Sequence, residues 1–580
     1  RNELYQDCTG SMFAFSGADG PTNERSHFVA FWAPQRWTLR WCGMNVPAAN
    51  STLTAAFHPD SNVADETVEV ATSDVLVVRH RTLHRDLVMV WARWNLLVGR
   101  ADAITLQGAS PVGGHGSTCG CVQRRTPIGW LVLCHDKGST LQFAVAFDTG
   151  NLVAAIDAAQ QATCGTAAVD VGDTVARRLA PLDALPTLPN ATLDRLSKKV
   201  YSIARLNTLS SEGAVRQHWA TPDKSPHQME YPWDTAFHAW GQLEVRPKLA
   251  AEMLTSMLDA SNFTNDGVIP STFVPWLPQN APSDFQAPLL CWVSWEVFQE
   301  TQDRGWLGRS YLILARHIEW ILANRGQRDG LLHYAGSGTE SAMDNSPVFR
   351  ICNDLRNCTR QTHRPNVSSL AAPDLSTWVA NEMKYLAMMA AALGDSSASA
   401  RWRVMSAQLS ARVHAQLWDE KDGYYYFLNS SSGEFLRMMS VAGFWPMLLD
   451  GVPPERVTRL VAHLHDPKLF ATPAPLPTVA RSDATFCRDM FRGPTWINLN
   501  FLTVRALERQ AHVPGAREAA AQLRLRTIDL VARHYARFGS VFEFYDALDT
   551  VPPPPRVGDA LEAMQVEVAQ EASLLAQGAA

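Results

Sequence analysis

Several things are scarce in this chain of 580 residues, and each scarcity excludes something. Lys and Arg number 51 against 57 Asp and Glu, a net charge of -6, with no long basic run. The electrostatic footprint of a nucleic-acid binder is missing, so nucleic acid is not an expected partner. Apolar runs are short: stretches such as Trp130 to Cys134 or Leu87 to Ala92 fall far below the roughly 20 residues that cross a bilayer. No transmembrane segment is expected. The chain opens on Arg1, and no apolar signal-peptide core follows, as in a mature or trimmed chain. No histidine cluster completes a metal tetrad, and Cys119-Gly-Cys121 has one residue between its thiols where zinc knuckles have two to four. Neither metal nor cofactor is expected.

What is present points to a large secreted protein. A hydrophobic content of 46% supports one large core and a smaller one. Asn-x-Ser/Thr acceptors occur at Asn50, Asn190, Asn262, Asn357, Asn366 and Asn429, implying N-linked glycans and a lumenal or extracellular location in the secretory pathway. The ten cysteines are even in number and suit disulfides. Cys352 with Cys358 is the expected small loop.

The pattern changes along the chain. Residues 1–178 hold short strand-like runs, including Thr38 to Cys42, Val75 to Arg79, Leu87 to Trp91, Ile128 to Cys134 and Leu141 to Phe147, punctuated by turn residues. They predict a β-sandwich. Residues 179–190, with Pro181, Pro186 and Pro189, read as a linker. From 191 to 556 the period is helical: Leu375 to Leu393, Ala400 to Leu417, Pro454 to His465, Trp496 to Gln510 and Arg517 to Ala536. Successive helices suggest an α/α toroid, and so a mainly α protein; an open solenoid is the competing reading, but no fixed-period repeat of the kind it leaves is present, so closure is favoured. Residues 557–580 are an Ala-, Glu- and Gln-rich tail.

Four segments between helices combine acids with groups that hold sugars. In Glu230-Tyr-Pro-Trp-Asp-Thr-Ala-Phe-His238, Trp233 suits stacking and Asp234 suits hydroxyls, although Asp before an apolar helical run is also a common N-cap. The loop from Gly336 to Pro347 carries Glu340 and Asp344 with no adjacent Lys or Arg. Such acids are either solvated or functional. In Val541-Phe-Glu-Phe-Tyr-Asp546, an extended backbone sends Glu543 and Tyr545 to one side and Phe542 and Phe544 to the other. Arg492, Gly493, Trp496 and Asn498 lie in one short stretch opening a helix, where Trp496 is either a stacking face or core.

In order, these segments resemble glycoside hydrolase family 63 and its trehalase relatives. Trp233-Asp234-Thr-Ala-Phe-His238 is similar to Trp-Asp-x-x-Phe-His, Gln286-Ala-Pro-Leu to Gln-Pro-Pro-Leu, and Glu340-Ser-Ala-Met-Asp344 to Glu-Ser-Gly-x-Asp. Arg492-Gly-Pro-Thr-Trp496-Ile-Asn498 is similar to Arg-Gly-Pro-x-Trp-x-Asn, and Glu543-Phe-Tyr-Asp546 to Glu-x-Tyr-Asp. Ala342 stands where the family has Gly, and Ala287 where it has Pro. The resemblance implies an (α/α)6 toroid and an inverting α-glycosidase with Asp344 as general acid and Glu543 as general base. It also implies a sugar subsite lined by Tyr231, Trp233, Asp234, Gln286, Glu340, Arg492, Gly493, Trp496, Asn498 and Tyr545. The implied substrate is an α-glucoside or α-mannoside. Motif spelling favours a small glycoside, whereas the glycosylated context favours lumenal glycan trimming. A catalytically silent carbohydrate-binding or structural assembly protein that keeps the toroid is the alternative.

Overall fold

A computed structural model describes residues 11–22, 29–33, 37–42, 52–57, 62–112, 119–127, 129–166, 168–222, 227, 229–336, 338–349, 366–539 and 541–550. The chain divides into two compact units, one running through Met229 and taking in Ala532–Val541, the other holding Glu230–Val531 and the segment from Phe542. The Cys352–Cys358 pairing, Asn50, Asn357 and the tail from 557 fall outside the described residues.

The first unit begins with thirteen strands: β1 (Ser11–Phe13), β2 (Val29–Ala33), β3 (Thr38–Cys42), β4 (Thr52–Ala56), β5 (Glu66–Ala71), β6 (Val75–His80), β7 (Arg85–Arg93), β8 (Leu96–Ala101), β9 (Ala103–Leu106), β10 (Ser110–Pro111), β11 (Gly120–Thr126), β12 (Gly129–His135) and β13 (Leu141–Asp148). They form a five-stranded sheet, β1-β2-β3-β4-β9, and an eight-stranded sheet, β10-β11-β12-β13-β8-β7-β6-β5. The alternation of β7 shows how the layers are built. Leu87, Met89 and Trp91 join Leu39, Leu53 and Phe57 in a core shared by both sheets. Val88 and Val90 face the other way, into a second core. A sheet buried on both faces reads as a continuous apolar run, which is why Leu-Val-Met-Val-Trp stands out in the sequence.

That second core belongs to helices the strand reading left out. Helix α1 (Leu152–Thr163) contributes Ala155, Ile156, Ala159 and Ala162. Helix α2 (Val171–Asp183) is pinned by Arg178, whose guanidinium donates to the carbonyls of Trp91 and Ala92 at 2.9 and 2.7 Å. The expected linker is therefore helical as far as Asp183, with Pro181 inside the last turns. Leu182 and Leu185 pack with Tyr201 of α3 (Ala191–Leu206), and this burial outweighs the helix-breaking tendency of the proline. Asn190, one of the glycan acceptors, caps α3 by accepting the N–H groups of Thr192 and Leu193, both at 3.0 Å.

Two disulfides, Cys119–Cys164 and Cys121–Cys134, tie the sheet edge. They account for the cluster of Cys119, Cys121 and Cys134 sulfurs within 4.8 Å of one another. Cys487 is also disulfide-bonded, whereas Cys291 is a buried free thiol.

The second unit is helical: α4 (Pro232–Leu243), α5 (Pro247–Asp259), α6 (Leu290–Thr301), α7 (Arg304–Arg325), α8 (Pro373–Leu393), α9 (Ser396–Gln416), a 3-10 helix (Val441–Leu448), α10 (Pro454–His465), α11 (Ile497–Arg509) and most of α12 (Ala516–Phe538). The five predicted helices from α8 onward match to within about four residues at either end. Packing follows a circuit. Helix α4 lies on α6, α6 on α8, α8 on the 3-10 helix, and that helix on α11. Phe501 of α11 then meets Phe237 and Trp240 of α4 at 6.2 and 5.3 Å. Every residue of α8 from Pro373 to Met383 is buried, the mark of a helix enclosed all round. Its Glu382 accepts the N–H groups of Cys291 and Trp292 at 2.6 and 2.9 Å, closing the N-terminus of α6. No helix among the described residues is long and apolar enough to cross a membrane.

Candidate active site

Four of the five motifs lie in the first turns of circuit helices or on the connections that enter them, and Glu543 lies on the segment following α12. Tyr231 is the N-cap residue of α4, with Trp233 and Asp234 in its first turn. Gln286 precedes α6 and accepts the Trp233 N–H at 3.2 Å. Asp344 precedes α8, and Arg492 to Trp496 precede α11.

The Asp344 loop is held from within. The backbone of Gly338 passes so close to that of Asp344 that a Cβ there would run into the Asp344 carbonyl. Ser341 donates to the Gly338 carbonyl at 2.8 Å and accepts the Met343 N–H at 3.0 Å. Ala342 has φ +59°, a left-handed conformation that favours Gly. This gives a physical reason for the glycine that the family pattern has at that position. Asp344 itself is exposed, while Ser341 through Met343 and Asn345 through Phe349 are buried.

Glu340 differs from its expected role. It is buried, paired through Oε1 with Arg325 of α7 at 2.5 Å, and its Oε2 accepts the Ala335 N–H at 2.9 Å. The carboxylate that lacks a cation nearby in sequence thus finds one in space, and both its oxygens serve the loop rather than a sugar.

Asn345 carries the loop to its neighbour. Its side-chain amide donates to Asp489 at 2.7 Å and accepts the Phe491 N–H at 2.9 Å. Its carbonyl accepts from Arg492 Nη1 at 3.1 Å. From there the connection continues to Glu543: Thr495 and Tyr545 exchange backbone hydrogen bonds at 2.8 and 2.9 Å. Trp496 lies between Phe491, at 3.9 Å between ring centroids, and Phe544, at 5.2 Å. The acids, 199 residues apart in sequence, are therefore joined through one intervening segment. Glu543 is exposed, flanked by the packed Phe542 and the buried Phe544.

Two further expectations are corrected here. Trp496 has aromatic rings on both faces, and its indole N–H donates to the Met490 carbonyl at 2.9 Å, so no face is left for a sugar. Tyr545 does not share the exposed side of Glu543. It is buried with Ala474 and Leu530, and its hydroxyl accepts the Phe542 N–H at 3.3 Å because the backbone bends at Glu543. Burial pushes its phenol up to about 12. Gly493 is a close-packing position, where a Cβ would meet the Cys487 carbonyl. Arg492 and Gln286 are buried, whereas Tyr231, Asp234 and Asn498 are half-buried.

Sequence reading missed the buried acids behind these loops. Glu230, next to Tyr231, is bonded by the Ser256 hydroxyl at 2.5 Å, and burial pushes its carboxyl up to about 8. Asp374, in the first turn of α8, is pushed up to about 7 by burial. Neither has a local signal beyond being an acid among apolar residues.

Comparison with known proteins identifies the family. Residues 225–549 match the model of the mannosylglycerate hydrolase MGH1-like glycoside hydrolase domain. An uncharacterized protein of Borreliella burgdorferi is 22% identical over 267 residues, 46% of this chain and 52% of that protein. A probable mannosyl-oligosaccharide glucosidase of Schizosaccharomyces pombe is 25% identical over 252 residues, 40% of this chain and 31% of that protein. The chain thus spans about half the length of these curated relatives or less. In fold it is similar to the family 63 mannosylglycerate hydrolase of Thermus thermophilus solved with glucose, with a TM-score of 0.50, 21% identity and coverage of 66% of this chain and 99% of that one. With the family model matching more than half the chain on the segment that carries all five motifs, this protein belongs to the MGH1-like glycoside hydrolases of family 63.

Proposed function

We propose that this protein is an inverting α-glycosidase whose helical unit is an (α/α)6 toroid, acting on a small α-glucoside or α-mannoside. Asp344 protonates the departing glycosidic oxygen, and Glu543 deprotonates the water that attacks the anomeric carbon from the opposite face. Such a mechanism needs room for that water, a carboxyl separation of roughly 6.5–9.5 Å. The observation that carries the reading is the continuous tie from Asp344 through Asn345, Arg492, Thr495 and Trp496 to Glu543, which leaves both carboxylates exposed while everything beside them is packed. Tyr231, Asp234 and Asn498, half-buried at helix N-termini, are the groups placed to meet sugar hydroxyls, with Trp233, Gln286 and Arg492 behind them. Two proton transfers and oxocarbenium stabilisation suffice for the reaction, and no cofactor enters it.

Hydrolysis of paired α-gluco and α-manno substrates, followed by NMR of the first-formed anomer, tests the reading. The expected product is the β-anomer. Asp344→Asn and Glu543→Gln each lower kcat by at least about 100-fold, the scale of general acid–base catalysis. An α-anomeric first product, or full activity in either variant, overturns it. A protein that binds these sugars and hydrolyses none is the silent carbohydrate-binding form.

We also infer passage through the secretory pathway, supported by the disulfides and by exposed acceptors at Asn262 and Asn366. A mobility shift on enzymatic deglycosylation of the protein from its native source is the check.

A further inference from the structure

Two consecutive residues outside the five motifs reach the two carboxylate segments from one turn. Arg488 and Asp489 stand at the head of the turn that leads to Arg492. Its own backbone closes it: the Cys487 N–H donates to the Arg492 carbonyl at 2.7 Å, and the Arg492 N–H donates to the Asp489 carbonyl at 2.9 Å.

Asp489 takes the acid side. Its Oδ2 accepts the side-chain amide of Asn345 at 2.7 Å, and Asn345 is buried and follows Asp344 directly. Arg488 takes the base side. Its guanidinium donates to Asp546 Oδ2 at 3.1 Å and also to the Thr550 hydroxyl. Asp546 stands three residues after Glu543, and its side chain is only 1% exposed. The same Oδ2 accepts the N–H and the hydroxyl of Thr550 at 3.0 and 3.1 Å. A carboxylate enclosed in this way is held to its cation, because leaving a buried charge unpaired is costly. Neighbouring side chains are thus fastened one residue from Asp344 and three from Glu543. The Cα atoms that carry them are about 3.8 Å apart by covalent geometry, so the two fastenings cannot drift independently.

We propose that Arg488 and Asp489 are a positioning pair that sets the separation of the Asp344 and Glu543 carboxyls, the gap that admits the attacking water. Each acts through the segment it holds, Asp489 on the acid and Arg488 on the base. The inference rests on the glycosidase reading, so its test separates the two. Variants are assayed on two substrates: the α-glycoside that the wild type cleaves best in a gluco and manno panel, which needs both acid and base, and the matching α-glycosyl fluoride, whose leaving group needs little protonation. Misplacing a reacting group by about 1 Å can cost roughly 100-fold, so Asp489→Ala should lower kcat by at least about tenfold on the glycoside and by less than about threefold on the fluoride. That fluoride turnover reports that the variant is folded. Arg488→Ala should lower kcat by at least about tenfold on both substrates, with KM for the fluoride within about threefold of wild type. Asp489→Asn, which keeps an acceptor for Asn345, and Arg488→Lys, which keeps a cation for Asp546, should each recover most of the loss. Equal losses on both substrates in Asp489→Ala, full activity in either alanine variant, or no recovery in the conservative variants overturns the pair and leaves the glycosidase reading standing. A wild type that cleaves no α-glycoside overturns both.

Discussion

The two carboxylate segments are held in opposite ways. Around Asp344 the chain is fixed by its own short-range contacts: the Gly338 approach, the Ser341 bonds, and the Arg325–Glu340 pair from the adjoining helix. Around Glu543 the fixing is borrowed. The Thr495–Tyr545 bridge, the Trp496–Phe544 stack and the Arg488–Asp546 ion pair at 3.1 Å all reach to the segment before α11. The Asp344 loop carries much of its own bracing, with Asn345 as its tie to the segment before α11, whereas the Glu543 segment rests on that segment throughout, and most ways of testing the site exploit that difference.

The largest contrast is chemical. With a glycosyl fluoride, whose leaving group needs little protonation, Asp344→Asn should retain far more activity than Glu543→Gln; with a natural glycoside both should fall together. Equal losses on the fluoride break the assignment of acid and base. Next is Glu340→Ala, which strands Arg325 in a mostly buried site and should cost on the order of 3 kcal/mol of stability, read by chemical denaturation. A loss within 0.5 kcal/mol (roughly the scale of surface substitutions) shows that the loop is not self-braced. The third is electrostatic. Because the folded Glu230 carboxyl sits at about 8 against an ordinary 4.5, the unfolded chain releases its proton first as pH rises. Stability is therefore fullest below about 4.5 and falls up to about 8, by at most about 1.4 kcal/mol per pH unit. Glu230→Gln should flatten that decline, as seen in melting temperature across this window. The smallest concerns Ala342: replacement by Gly at φ +59° should raise stability by about 1 kcal/mol, which differential calorimetry can resolve.

Much of this was legible in the sequence where the signal is local. Helices α8 to α12 carry the helical period, and the five motifs keep order and spelling. What was not legible depends on distant partners. Nothing near Trp496 says that Phe491 and Phe544 will cover both its faces, and nothing near Glu340 says that Arg325 arrives from the preceding helix. Helix α1 escaped because its Ala-rich face is apolar only against the second face of a sheet that the strand pattern treats as one-sided.

The Thr495–Tyr545 bridge has a consequence for biosynthesis. At about 5–20 residues per second, the 199 residues between Asp344 and Glu543 take roughly 10–40 s to emerge. During that interval a nascent chain carries Asp344, the proposed acid, without Glu543, the proposed base. The bridge can close only then, so on the proposed assignment competence is a late step, after most of the helical circuit has been made.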